Sequence, residues 1–254
     1  MNWEGTVEVV VLIKAAPETG AKHGETVCVA GIDCYGAWHR LYPMPFKDLR
    51  LDQVFRRWDI IRVRWRKAGN DERIESKRID HTTLEVVGRV PKAERAALID
   101  RALVDNIDVE LAEGRSLAVL RPENVEFSLR RLADQEVAKQ RVRRQQLISQ
   151  SDLFGTSILS EEPAPYTFTY KFDHGGKRRT HRCIDWETEH TFFKWRGMYG
   201  EEDTIRRMTE RWGQEYPTRG MAFAMGTHRV KIYRNWLLSA VLRADRVEQS
   251  SLNL

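Results

Sequence analysis

Cysteine is scarce in this chain: three in 254 residues. An odd number so small makes no disulfide framework and points to a reducing compartment. Long hydrophobic runs are missing as well. The longest near the start is Val9-Val10-Val11-Leu12-Ile13, far short of the eighteen or so apolar residues of a membrane-spanning helix. Met1-Asn2-Trp3-Glu4 has no basic segment of the kind that opens a secretory signal. No Walker loop, G-x-G-x-x-G, G-x-S-x-G or H-E-x-x-H occurs, so the commonest motif-bearing enzyme classes lack support. Lysine is thin, with 11 against 31 arginines. A cytoplasmic, folded protein is the expectation.

Apolar residues make up 41% and charged residues 31% of the chain, which rules out wholesale disorder. The length suits two small domains or one large one. Lys plus Arg exceeds Asp plus Glu by 42 to 37, a formal charge of +5. The arginine excess matters more than the sum, because a planar guanidinium fork suits phosphates and stacks on bases. A GC-rich genome would produce the same bias.

The first half reads as strands with one helix. Runs at 6–14, 26–32, 38–42, 58–67 and 84–90 are β-branched and apolar or alternate, with turn signals between them. Pro91 opens a helix over 92–104, and strands return at 116–120 and 125–130. Residues 129–150 are polar and basic, either a helix or a solvated arm. The stretch 149–165, with Ser, Gly, Glu and two Pro, reads as a linker. This places an N-terminal domain at 1–148 and a C-terminal domain at 166–254. The second half offers an alternating strand at 166–172 and a Gly175-Gly176 turn. A strand at 179–186, helices at 187–198 and 201–216, and strands at 221–226 and 236–242 follow. Strands, a helix and further strands, in that order and twice over, predict a mainly β (α+β) protein of two OB-fold-like barrels in tandem.

Several phrases carry a resemblance. They are Glu25-Thr26-Val27-Cys28-Val29-Ala30-Gly31-Ile32, Trp38-His39-Arg40-Leu41-Tyr42-Pro43, residues 55–63, Arg73-Ile74-Glu75-Ser76, Asp185-Trp186-Glu187 and Met225-Gly226-Thr227-His228. With them the chain, from about Val9 to Leu242, resembles a largely uncharacterised bacterial family containing a dual OB domain. The resemblance implies two OB-like barrels and a nucleic-acid or nucleotide ligand, and it implies no reaction.

The strongest functional pattern is a basic strand. Residues 55–67 hold Arg56, Arg57, Arg62, Arg64, Arg66 and Lys67 against Asp59 alone. Alternation sets Ile61, Val63 and Trp65 on one face and Arg62, Arg64 and Arg66 on the other, about 7 Å apart. That row fits an extended phosphate backbone, with Trp38 and Trp58 as neighbouring stacking rings. It equally fits a solvated face neutralised by Asp71, Glu72 and Glu75. The stripe Tyr166, Phe168, Tyr170 and Phe172 fits a stacking platform or a barrel interior, with Tyr166 and Tyr170 suited to its rim.

Two further clusters bear on chemistry. Asp185-x-Glu187, with Lys194 downstream, could hold a catalytic cation in a nuclease, or Asp185 could cap the helix that follows. Cys28, Cys34 and His39, and His181 with Cys183 near His174 and His190, lack the paired spacing that zinc needs, so no metal or cofactor is expected. The reading is a non-catalytic module binding single-stranded DNA or RNA through Arg57, Arg62, Arg64, Arg66, Trp38, Trp58, Tyr166 and Tyr170. The alternatives are a metal-dependent nuclease acting through Asp185 and Glu187, and a scaffold subunit of a protein complex.

Overall fold

The run Val9–Ile13 is apolar without interruption because both faces of its strand are covered. The computed structural model describes residues 3–14, 27–45, 49–69, 71–151, 162–227 and 235–245. Strand β1 (Gly5–Lys14) sends Val9 and Val11 into one core and Val10 and Leu12 into another. Successive side chains leave a strand on opposite faces, so a strand between two cores must be hydrophobic throughout.

The first core lies inside a ring of five strands. Strands β2 (Val27–Ile32), β3 (Trp38–Met44), β4 (Asp59–Lys67) and β5 (Ser76–Arg89) join β1 in the order β1-β2-β3-β5-β4, and β4 pairs back onto β1 to close the barrel. All neighbours are antiparallel except β3 and β5. Val9, Val29, Leu41, Ile61, Val63 and Leu84 fill the interior. Gly31 sits opposite Val11, where an added Cβ would stand 1.9 Å from the Val10 carbonyl oxygen. Only glycine allows that approach.

Two short helices follow, α1 (Arg95–Asp100) and α2 (Ile107–Ala112), where the sequence predicts one helix over 92–104. The chain then enters a second sheet. Strands β6 (Leu117–Leu120), β7 (Glu123–Arg131), β8 (Tyr166–His174), β9 (Lys177–Cys183), β10 (Met221–Thr227) and β11 (Trp236–Arg243) lie in the order β6-β10-β11-β9-β8-β7. The expectation of a second barrel is corrected here: among the described residues this sheet is open, with β6 and β7 at its edges. Those edges are joined by Arg121 and Pro122 alone, a span of at most about 11 Å, so the sheet curls without closing. Element order, which suggested the second barrel, does not specify pairing partners.

The domain limits shift for the same reason. Helix α3 (Asp134–Ser151) occupies the start of the expected 149–165 linker, and residues 152–161 lie outside the described residues. Strands β6 and β7 precede that segment yet pair with β10 and β8. The change of sheet falls between β5 and β6.

The barrel and the sheet share a seam. Val10, Leu12, Ala30 and Ile32 from the barrel meet Leu117, Val119, Ala222, Ala224, Ala240 and Leu242 from the sheet. The alanines let the layers approach closely, while a fully buried Leu12 or Leu242 contributes about 1.5–3 kcal/mol. Polar clamps flank the apolar patch. Glu75 accepts from the Ser116 N–H (2.7 Å) and the Ser116 hydroxyl (2.8 Å), and Arg40 donates to the Ser116 carbonyl (3.1 Å). Arg73, held bidentate by Asp71, donates to the Thr227 carbonyl at 2.9 Å.

The other face of the sheet carries the third core, covered by α4 (Trp186–Tyr199), α5 (Glu201–Glu210) and a π-helical turn (Arg211–Glu215) leading into α6 (Tyr216–Arg219). The molecule is mainly β in the α+β class, and no helix among the described residues is long and apolar enough to cross a membrane.

A consequence can be measured. A protease site inserted within 152–161 should yield two fragments on a denaturing gel that co-elute as one species in native gel filtration. The β7–β8 ladder and the seam both cross the cut. Separation of the fragments under native conditions would contradict this architecture.

Candidate functional site

Arg57 lies in the turn just ahead of β4 and is buried to 7% exposure. Its Nη2 donates to Asp185 Oδ1 at 2.6 Å and its Nη1 to the Val241 carbonyl at 2.8 Å, with Glu187 Oε2 3.3 Å from Nη1. Asp185 Oδ1 also accepts from the Glu187 N–H (3.1 Å), and Oδ2 accepts from the Val241 N–H (3.1 Å) and the Thr188 hydroxyl (3.4 Å). Asp185 is thus the N-cap of α4 and the anchor of Arg57, with both oxygens engaged. The pair does not converge on a cation position, since Glu187 alone keeps a half-exposed carboxylate. Among the described residues no group of three metal-capable side chains comes together. His181 Nδ1 donates to the Trp236 carbonyl at 3.0 Å, and burial pushes the Cys183 thiol up to about 12. The Cys28 side chain lies outside the described residues.

Above this ion pair opens a cleft of about 510 Å³ between barrel and helices. The barrel wall presents Lys14, Arg56, Arg57, Trp58 and Arg89, with Arg95 from α1. The helical wall presents Lys194 and Trp195 from α4, Arg211 and Trp212 from the π turn, and Tyr216 from α6. Arg243 on β11 adds an eighth cation, and among the described residues Asp185 and Glu187 are the only acids lining the space. Arg89 leans on Asp59 (2.5 Å), Arg243 on Asp245 (2.7 Å) and Arg211 on Glu215 (3.5 Å). Arg56 and Lys194 are exposed and have no carboxylate partner among the described residues.

The cations press on one another. Burial pulls the Lys14 ammonium below the ordinary lysine range; Glu187 opposes the shift and Arg57 adds to it. Burial, then the Arg89 guanidinium, lowers Arg95. A site with this surplus of positive charge favours an anion.

Its aromatic walls are arranged as stacks. The Arg95 guanidinium lies 4.8 Å from the Trp58 ring centre, and Arg211 lies 4.7 Å from Trp195. Trp212 supports the helical wall, edge-on to Trp195 at 5.6 Å and tilted against Tyr216 at 5.3 Å. Two backbone irregularities meet at this cleft. Trp58 has φ of +73°, a conformation that bulky side chains avoid. The π turn delivers Arg211 and Trp212, and such turns recur at functional sites.

The sequence-predicted residues divide. Arg57 and Trp58 line the cleft, Arg57 as a buried strut. Trp38 is half-buried against the seam, two strands away from β4 around the ring. Tyr166 and Tyr170, offered above as stacking rings, are corrected to core: Tyr170 is fully buried, and Tyr166 is 8% exposed with its hydroxyl donating to Glu201 at 2.7 Å. Arg62 and Arg64 do face outward, and Arg66 is half-buried beside them. Arg62 is paired with Glu8 at 2.6 Å and lies 3.5 Å from Glu85; Arg64 and Arg66 both stack on Trp3 at 5.6 Å. The neutralising groups are not Asp71, Glu72 and Glu75, because Asp71 holds Arg73 and Glu75 closes the seam. Sequence reasoning missed Lys14, Arg89, Arg95, Trp195, Arg211, Tyr216 and Arg243, and named Lys194 only as a companion of Asp185 and Glu187. The one available signal was the interleaving of Trp195, Arg211, Trp212 and Tyr216 along the two helical segments.

Arg40, Glu75, Thr227 and Asp185 each make a bond across the junction of barrel and sheet. No curated protein matches the chain. Residues 5–102, the barrel with α1, match the family described as Domain of unknown function (DUF8758). Residues 102–254, more than half of the chain, match Domain of unknown function (DUF8757), and the chain belongs to that family.

Proposed function

We propose that the protein is a non-catalytic, cytoplasmic module that binds single-stranded DNA or RNA, and that the cleft between barrel and helices is its principal contact. The observation that carries this reading is the cleft's composition: eight cations against two acids, with guanidinium groups stacked on tryptophans from opposite walls. Proteins that hold single strands combine a positive groove with flat stacking surfaces, and bases stack on guanidinium planes as well as on rings. The strand order of the ring, with its single parallel pair β3–β5, supports an OB-fold for the barrel half, a fold that recurs in oligonucleotide binding. The free thiols of Cys34 and Cys183 suit a reducing compartment.

The test is the salt dependence of binding to a labelled single strand. Each phosphate contact contributes about 0.7 to the slope of log K against log salt. Arg56→Gln combined with Arg211→Gln should lower the slope by about 1.4. Replacing Arg62, Arg64 and Arg66 together by Gln should change it less, since Arg62 already answers Glu8 and Glu85. Tryptophan emission should respond on binding, because Trp58, Trp195 and Trp212 line the cleft. A parent protein that binds no strand at low salt would defeat the reading.

A further inference from the structure

The cleft is too small for a tract of strand. Its volume of about 510 Å³ is that of a small-molecule site, whereas single-strand-binding OB surfaces engage roughly 4–16 nucleotides. One or two nucleotides fit such a space. Its charge also exceeds what an internal nucleotide carries, since a phosphodiester bears one negative charge and a phosphate monoester about −1.5 to −2 at neutral pH.

Arg56 and Lys194 line this space from its two walls, without a carboxylate partner among the described residues. Arg56 comes from the loop ahead of β4 and Lys194 from the middle of α4. Both are exposed, so neither is committed to the packing. Arg95 on Trp58 and Arg211 on Trp195 present flat surfaces from the same two walls. Below them Arg57 is held in place by Asp185 and Val241, and its buried Nε–H makes no hydrogen bond. Asp185, with both oxygens engaged, has none left to accept protons from a ligand.

Resting on the nucleic-acid reading, we infer that the cleft recognises a nucleotide bearing a phosphate monoester, with Arg56 and Lys194 closing on the phosphate and the base lying between the Arg95–Trp58 and Arg211–Trp195 stacks. Such a group is supplied by the phosphorylated end of a strand or by a free mononucleotide. The chemistry is shared, and only the tether differs.

The experiment compares three short single strands of one sequence by fluorescence anisotropy: 5′-phosphorylated, 3′-phosphorylated, and with hydroxyls at both ends. A nucleoside monophosphate and its nucleoside serve as competitors. One phosphorylated strand should bind about tenfold more tightly than the hydroxyl strand, the scale of one charge-assisted contact. Arg56→Gln with Lys194→Gln should remove that advantage while leaving the circular dichroism spectrum and the unfolding midpoint unchanged. The monophosphate should displace the strand and the nucleoside should not. Binding of the monophosphate without binding of any strand would support the monoester site and assign the free nucleotide as its source. Equal affinity for all three strands would overturn the inference and leave the nucleic-acid reading standing. No binding of strand or monophosphate would overturn both.

Discussion

Asp185→Ala is expected to lower the unfolding free energy by about 3–5 kcal/mol, the usual result of removing one partner from a buried ion pair. Three losses coincide. The Arg57 guanidinium, buried at 7% exposure, loses its closest acceptor at 2.6 Å. Helix α4 loses its N-cap, worth about 1 kcal/mol by itself. The Val241 N–H, interior to the sheet, loses its acceptor. Asp185→Asn should be milder, because asparagine also caps well and its carbonyl oxygen still accepts from Arg57 or Val241. Urea denaturation of the two variants measures the difference. A catalytic role makes the opposite forecast: stability of Asp185→Ala near that of the parent, with activity lost. An unchanged midpoint for the alanine variant would remove the structural account of Asp185 and reopen the nuclease alternative.

How much of this was legible beforehand varies with the kind of information each feature needs. Faces are local, and they were readable. The alternation in β4 placed Ile61 and Val63 inward and Arg62 and Arg64 outward, as observed. The stripe in β8 placed Tyr166, Phe168, Tyr170 and Phe172 together, and they share one buried face. Alternation does not say which face is covered, so the same stripe also fitted a stacking platform. Pairing is not local. Strands β6 and β7 follow the barrel after two short helices and look like part of it, yet they flank the second sheet from its two edges. Long-range ion pairs leave no trace in periodicity. Arg57 and Asp185 are 128 residues apart, and each had a plausible local role, one in a basic strand and the other at a helix start. The cleft follows from that contact: its walls lie in segments the sequence assigned to different domains. The helical stretch between β9 and β10, legible in the sequence only as two helices, covers the third core and forms a wall of the site.

The seam gives the second large effect. Glu75 lies in the turn before β5, at 7% exposure, and its two oxygens take the Ser116 N–H, the Leu117 N–H and the Ser116 hydroxyl. Those groups open β6, the edge of the second sheet, so one barrel side chain satisfies the first donors of a strand in the other layer. Glu75→Ala would leave two buried backbone donors without partners at about 1–3 kcal/mol each, beside the buried Arg40 guanidinium. The expected loss is about 3–5 kcal/mol. Glu75→Gln should recover part of it, because its carbonyl oxygen can still accept from Ser116, but its amide brings donors where acceptors are needed. The readout that separates a seam from an ordinary core contact is hydrogen exchange. In Glu75→Ala the amides of 116–120 and of Arg40 should lose protection first, with the barrel interior around Val11 and Ile61 following only at global unfolding. If the alanine variant exchanged like the parent at Ser116 and Leu117, the polar clamp at Glu75 would contribute nothing to the union of barrel and sheet, which would rest on the apolar patch and the remaining arginine contacts.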